Sequence, residues 1–203
     1  MVNQDNEGFT YSVSEIKPCL ADNAKVRIIA EFDVDLTSIL EILFLHLKNA
    51  NYSRNLACVT TKRAGRSTTV FGSGRVAMTY LRDEQEAIDN LKELSYIFSR
   101  AFAYLSVNGP VSPNLVEGKE NLNALQIHKL LPQTDCGDCN ESGCFAFATL
   151  LMNGERDIVD CGPLKLRENA DRREDLVKLI QPINLDIVRE NRSDLAEYLG
   201  LRS

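Results

Sequence analysis

Apolar and polar positions alternate or repeat at different periods along this chain, and the periods predict its elements. Residues 26–33, Val-Arg-Ile-Ile-Ala-Glu-Phe-Asp, mix apolar and charged positions and predict a strand. Ile39, Leu40, Ile42, Leu43, Leu45 and Leu47 then recur at helical spacing behind Asp35 or Thr37 as the cap. Three strands follow at Leu56–Thr61, Ser67–Gly72 and Arg75–Leu81, the last two joined by Ser73-Gly74 as a tight hairpin. Asp83 opens a long helix with Glu84 and Glu86 in its first turn. Its apolar face runs through Ala87, Ile88, Leu91, Leu94, Ile97, Phe98 and Ala101 and reaches Tyr104. The order β-α-β-β-β-α predicts an α+β layer, an antiparallel sheet backed by two helices.

Beyond that layer the pattern changes. Asn108-Gly-Pro-Val-Ser-Pro-Asn114 is dense in breaker residues and predicts a linker over residues 108–118. The expected organisation is an α+β domain over 1–107, a small helical domain over 119–165 and a helical extension over 166–203. In the second domain, Leu122–Leu131 predicts a short helix stopped by Pro132, followed by a cysteine-rich loop and a helix ending near Asn153-Gly154. Leu166–Ile180 predicts an amphipathic helix ended by Pro182. Ile183, Leu185, Ile187, Val188, Leu195 and Leu199 supply a further apolar set.

Composition narrows the function classes. The 203 residues are 44% hydrophobic and 26% charged, ordinary for a globular chain, and the apolar runs are too short for a membrane span. The polar, acidic start Met-Val-Asn-Gln-Asp-Asn-Glu lacks the features of a secretory signal, so the expected location is the cytoplasm. The net charge is −6. Residues 110–203 carry 11 Lys and Arg against 16 Asp and Glu, a balance that disfavours nucleic acid as a ligand of the whole chain. One stretch departs from it: between Ile42 and Arg82 there are seven bases and no acid. No Ser–His–Asp set and no phosphate loop stands out, so the chain does not read as an independent enzyme. His46 reads as a structural or exposed residue of its helix.

Four of the six cysteines crowd into one segment, as Cys136, Cys139, Cys144 and Cys161, in the pattern C-x2-C-x4-C-x16-C. Clustered thiols in a reducing compartment bind metal more often than they form disulfides. Four thiolates from one segment can each hold one iron corner of a [4Fe–4S] cluster. Zinc is the alternative for the same thiols. Zinc ribbons and fingers usually pair two C-x2-C knuckles or mix cysteine with histidine, whereas this segment has one such knuckle and no His. Gly137, Gly143 and Gly162 let backbone N–H groups approach sulfur, and Cys144 stands at a helix N-terminus, where amides favour negative charge. Phe145 and Phe147 either shield the site or form the apolar face of that helix. Asp135, Asp138 and Glu141 flank the first three cysteines; they either depress the potential of a bound cluster or form a solvated loop surface. Cys19 and Cys58 stand outside the motif as small core hydrophobes.

The segment from Leu125-Gln-Ile-His-Lys-Leu-Leu-Pro-Gln-Thr-Asp-Cys136 to Pro163 resembles the [4Fe–4S] domain of the large subunit of corrinoid iron–sulfur proteins, which belong to the acetyl-CoA synthase/CO dehydrogenase system. The same module occurs in the B subunit of Rnf electron-transport complexes. The likeness rests on the Leu-Pro-x-Thr lead-in, the four cysteines, Phe-Ala-Phe-Ala and Cys-Gly-Pro-Leu. It implies that Cys136, Cys139, Cys144 and Cys161 ligate one [4Fe–4S] cluster that passes single electrons at low potential. It also implies a redox protein partner, such as a corrinoid protein, in an anaerobe. The corrinoid protein's barrel and cobalamin domain have no room here, and the further ferredoxin-type clusters of the Rnf subunit are missing.

Residues 26–105 resemble one repeat of the TATA-binding protein, best over Thr68-Thr-Val-Phe71-Gly-Ser-Gly74-Arg75-Val. That family binds DNA through a two-repeat saddle with apolar wedges in the minor groove. Phe71 stands at one wedge position and Leu56 at the other. A homodimer would rebuild the saddle from single repeats, but the acidic net charge points instead to a protein-docking or dimerisation module. Two function classes follow: electron transfer or reductive activation of a partner, and a redox-responsive regulator whose N-terminal domain binds nucleic acid or protein.

Overall fold

The computed structural model describes residues 2–3, 9–63, 65–180, 185 and 187. Their contacts divide the chain into two compact units. Unit 1 takes in the described residues among 1–46, 50–111 and 186–203, and unit 2 those among 47–49 and 112–185. Among the described residues no helix is long and apolar enough to cross a membrane.

Unit 1 is α+β. Its strands are β1 (Val2–Asn3), β2 (Tyr11–Pro18), β3 (Val26–Phe32), β4 (Ala50–Ser53), β5 (Cys58–Arg63), β6 (Arg66–Phe71) and β7 (Arg75–Leu81). They form one sheet in the order β1-β2-β3-β7-β6-β5-β4, with every neighbouring pair antiparallel. The register sets Ala30 against Val76, Val76 against Val70 and Val70 against Val59, an apolar row across four strands. All four are buried. The next row outward pairs Thr60 with Thr69, whose hydroxyls are 2.9 Å apart. This alternation is the period-2 pattern of a sheet with one face in a core.

Helix α1 (Leu40–His46), entered through a 3-10 turn at Thr37–Ile39, and helix α2 (Glu84–Asn108) complete the unit. Asp35 accepts the Thr37 N–H at 2.8 Å, so the expected cap is in place. Asp83 caps α2 by accepting the Glu86 N–H at 2.8 Å. Phe98 of α2 packs edge-on against Phe32 of β3, with ring centroids 5.0 Å apart. Each such fully buried side chain contributes about 1.5–3 kcal/mol relative to exposure.

The structure corrects the predicted elements at several points. β2 and β4 were not expected, and α2 runs four residues past Tyr104, to Asn108. The strand expected from Leu56 begins at Cys58 instead. Leu56 lies in the preceding turn, exposed, next to Ala57 at φ 45°. Phe71 ends β6 opposite Cys58. The hairpin glycine Gly74 is required on two counts: its φ is 89°, and a Cβ there would lie 2.4 Å from the Phe32 carbonyl oxygen.

The described elements of unit 2 are helices and 3-10 turns. They are α3 (Pro113–Asn121), α4 (Ala124–Leu130), α5 (Cys144–Met152) and α6 (Ala170–Ile180), with 3-10 turns at Ile158–Asp160, Pro163–Lys165 and Arg167–Asn169. Pro113 occupies the first turn of α3, where its missing N–H is no loss, so the later part of the expected linker, from Pro113 onward, is helical. Asn123 and Gln126 form a reciprocal capping box on α4. The core joins Ile127 and Leu131, Phe147, Ala148 and Leu151, Cys161 and Leu164, and Leu176 and Ile180 of α6. Of the apolar set expected after Pro182, all but Leu185 and Ile187 lie outside the described residues; Ile187 is buried in unit 1.

Candidate metal centre

The polypeptide between α4 and α5 is wound tightly. Gln133, Asp135, Gly137 and Asn140 all have positive φ, at 58°, 47°, 77° and 60°. Asp135 and Asn140 are residue types that enter this region readily, whereas at Gln133 it costs of order 1–3 kcal/mol, strain that persists only where surrounding structure enforces it. The Asn140 N–H donates to the Gly137 carbonyl at 2.8 Å, closing a turn between the first two cysteines. The chain then enters α5 at Cys144, passes the glycine turn after Met152 and returns through the 3-10 turn Ile158–Asp160 to Cys161.

This path brings all four motif cysteines to one cavity. Cys136, Cys139, Cys144 and Cys161 line it together with Gly137, Gly143, Gly162, Phe147 and Pro163, around about 300 Å³ of space that includes its opening to solvent. The thiols differ in exposure. Cys136 is exposed, Cys139 and Cys144 are half-buried, and Cys161 is buried. Burial pushes the Cys161 thiol above its usual range. The nearby Cys144, Cys139 and Cys136 add to this, while the Leu164 N–H donates to its sulfur and acts the other way. Among the described residues no three His, Cys, Asp or Glu side chains close on one point as they would for a single ion.

Asp135 and Glu141 each hold a bonded partner, and Asp138 lies close to backbone. Asp135 Oδ1 accepts the Cys144 N–H at 2.6 Å and so caps α5 from across the loop. Asp138 lies against Gly162, where a Cβ would sit 3.1 Å from its Oδ2, and a Cβ on Gly143 would sit 3.0 Å from Asp135 Oδ1. Gly143 and Gly162 therefore make room for carboxylates as well as for close backbone approach. Glu141 is ion-paired with Arg156, whose Nε donates to it at 2.9 Å, so its charge is balanced. The two phenylalanines separate as well. Phe147 is buried in the cavity wall, whereas Phe145 is exposed and meets His128 edge-on at 5.6 Å.

Cys19 and Cys58 lie in unit 1. Both are buried; burial raises the Cys58 thiol, whereas the backbone N–H of Ala21, followed by those of Tyr80 and Asp22, lowers that of Cys19. His46 ends α1 in the same unit. The helix expected at Leu166–Ile180 is present from Ala170 and closes the core with Leu176 and Ile180, whereas the motif spacing did not disclose Arg156, because its partner Glu141 lies fifteen residues away.

The donor set fits an iron–sulfur cluster. Four thiolates can each take one iron, and an apolar wall limits water.

Comparison with known proteins agrees. Residues 131–163 match a family described as "Putative Fe-S cluster". The chain is 41% identical over 61 residues to the gamma subunit of the acetyl-CoA decarbonylase/synthase complex of Methanothermobacter thermautotrophicus, covering 30% of this chain and 12% of that protein. The corresponding subunit of Methanosarcina acetivorans is 41% identical over 59 residues, 29% of this chain and 13% of that protein. The B subunit of the ion-translocating oxidoreductase complex of Thiobacillus denitrificans is 46% identical over 48 residues, 24% of each chain. The likeness thus spans a quarter or less of each of these relatives. No solved structure matches the chain. Residues 131–163 are an iron–sulfur cluster domain of the type present in these gamma and B subunits.

Proposed function

We propose that this protein holds one [4Fe–4S] cluster on Cys136, Cys139, Cys144 and Cys161 and transfers single electrons at low potential to a protein partner. The observation that carries the reading is the convergence of these four thiols, and no other cysteine, on one cavity of unit 2. A cluster bound there supplies one-electron chemistry. A single C-x2-C knuckle with no His between Cys136 and Cys161 suits four irons better than one zinc. Gly143 and Gly162 keep backbone close to the site, Phe147 excludes water from its inner wall, and Cys136 presents the outer edge to solvent. That exposed edge is where a partner would approach. The likeness to subunits of the acetyl-CoA decarbonylase/synthase and ion-translocating oxidoreductase complexes supports an anaerobic setting, with a corrinoid or other redox protein as the acceptor.

Unit 1 serves, in this reading, as a docking or dimerisation module built on one TATA-binding-protein-like repeat. Its antiparallel sheet backed by α1 and α2, with the Phe71–Arg75 hairpin, supports that assignment. The test is anaerobic purification with iron, sulfide and zinc analysis, then EPR after dithionite reduction. About four irons and four sulfides per chain are expected, with a cubane-type signal. Alanine at any one of the four cysteines should lose or degrade the cluster, and Cys58→Ala should retain it. One zinc without sulfide would replace this reading with a structural knuckle.

A further inference from the structure

The segment that matches the iron–sulfur family ends at Pro163, yet its geometry depends on the helix beyond it. Two consecutive residues of α6 reach opposite ends of that segment. Arg172 Nη1 donates to the Leu131 carbonyl at 3.0 Å and to the Lys129 carbonyl at 3.4 Å, where the chain leaves α4 for the cysteine loop. Arg173 Nη1 donates to the Leu164 carbonyl at 3.1 Å, three residues past Cys161. Asn169 Nδ2, just ahead of α6, donates to the Pro163 carbonyl at 3.0 Å. Below these contacts Leu176 and Ile180 share a core with Ile127, Leu131, Phe147, Cys161 and Leu164.

We propose that α6 is a clasp on the metal centre, in which Arg172 and Arg173 are positioning residues that hold the entry and the exit of the cysteine segment at a fixed separation. The need for one follows from the spacing. Three cysteines lie within nine residues on one loop, and the fourth returns after sixteen intervening residues, so its distance from the others is not set locally. Leu164 is the point of leverage: it lies three residues past Cys161, shares a core with it, and has its carbonyl held by Arg173. Guanidinium groups suit this work because they stay charged, and a charged donor to a carbonyl makes a stronger bond than a neutral one. Groups in this outer position commonly change metal retention 10–100-fold when removed.

The inference rests on the cluster reading above, and the experiment separates the two. Full-length wild type, Arg172→Gln, Arg173→Gln, their double variant, Arg173→Lys and the surface control Lys178→Gln are purified anaerobically. Iron release to a chelator and the reduction midpoint by EPR-monitored titration are then measured. The double variant is expected to release iron roughly ten-fold faster or more. Arg173→Gln should shift the midpoint, because the chain three residues past Cys161 is no longer held in place. Arg173→Lys should restore part of both effects, and Lys178→Gln should match wild type. A double variant with wild-type release and an unchanged midpoint overturns the clasp alone. A fall in thermal stability with an unchanged midpoint also overturns it, since that is what a purely structural helix would give. Wild type without iron and sulfide overturns both readings.

Discussion

Asp135 sits at φ 47°, a conformation that disfavours most side chains, and commits its carboxylate to the N–H of Cys144. The acid that precedes the first motif cysteine thus fixes the third one, tying the loop to the start of α5. Asp and Asn are among the few residues that enter the left-handed region readily, so the side chain and the backbone requirement coincide. Asp135→Ala removes the acceptor and leaves a less tolerant residue at that φ; a loss of about 1 kcal/mol is expected, the usual cost of deleting a helix cap. Asp135→Asn keeps an acceptor oxygen and tolerates the backbone, and should lose less than half as much, mainly the interaction of charge with the helix dipole. Anaerobic urea unfolding of the three proteins checks the ranking, and equal losses would show that the charge matters more than the cap. At this scale the sequence is informative about the four thiols and silent about their supports. Cysteine spacing is local and survives any rearrangement of the surroundings. Arg156, Arg172 and Arg173 are ordinary surface arginines until the fold brings Glu141, Leu131 and Leu164 to them.

The same division between local and distant signals recurs among the elements. The start of α2 was legible because Asp83 and Glu86 sit at cap spacing, and the hairpin at Gly74 because only glycine suits its turn. β2 was not legible: Tyr11–Pro18 has polar residues on both faces along much of its length, and it is a strand because β3 pairs with it. β4 is four residues long and follows the same rule beside β5. Glu86 also shows what a local reading leaves out. Its carboxylate accepts the Arg82 N–H at 2.7 Å and pairs with the guanidinium groups of Arg82 and of Arg66, which β6 contributes. The Arg82 N–H, the Arg82 side-chain bond and the charges of Arg66 and Arg82 hold its pKa below the ordinary value of 4.5, against an opposing effect of burial. A carboxyl with a lowered native pKa binds fewer protons folded than unfolded in the window below 4.5. Its stabilising contribution is therefore complete above that window and is lost as the pH falls through the native value. Urea midpoints for unit 1 signals should drop on acidification from about pH 7 to about pH 3, and Glu86→Gln should start lower at neutral pH and drop less. Parallel acid profiles for the two proteins would remove Glu86 from the account.

For the whole molecule, the division into two units makes a claim about what the metal centre stabilises. All four thiols, the Asp135 cap, the Glu141–Arg156 pair and the α6 arginines belong to unit 2. Among its described residues, unit 1 instead has a seven-stranded sheet and two helices with buried rows of their own. Unit 2 has a smaller core, and one of its members is Cys161 itself. A small core supplies little net stability, and a metal site that forms only in the folded state returns its binding free energy as folding free energy. Removing the cluster with a chelator under oxidising conditions should therefore act unequally. Amides of α4, α5, α6 and residues 131–164 should lose protection from hydrogen exchange, while those of β3, β5, β6, β7 and α2 keep it. Mass-spectrometric exchange on the same sample before and after cluster removal reads both units at once, so unit 1 serves as the internal reference. Uniform loss across both units would mean that the two fold as one cooperative body and that the metal stabilises the whole chain. Unchanged protection in unit 2 would mean that the helices and the arginine clasp hold the site preformed, and that the cysteine loop accepts its cluster without any change in its own structure.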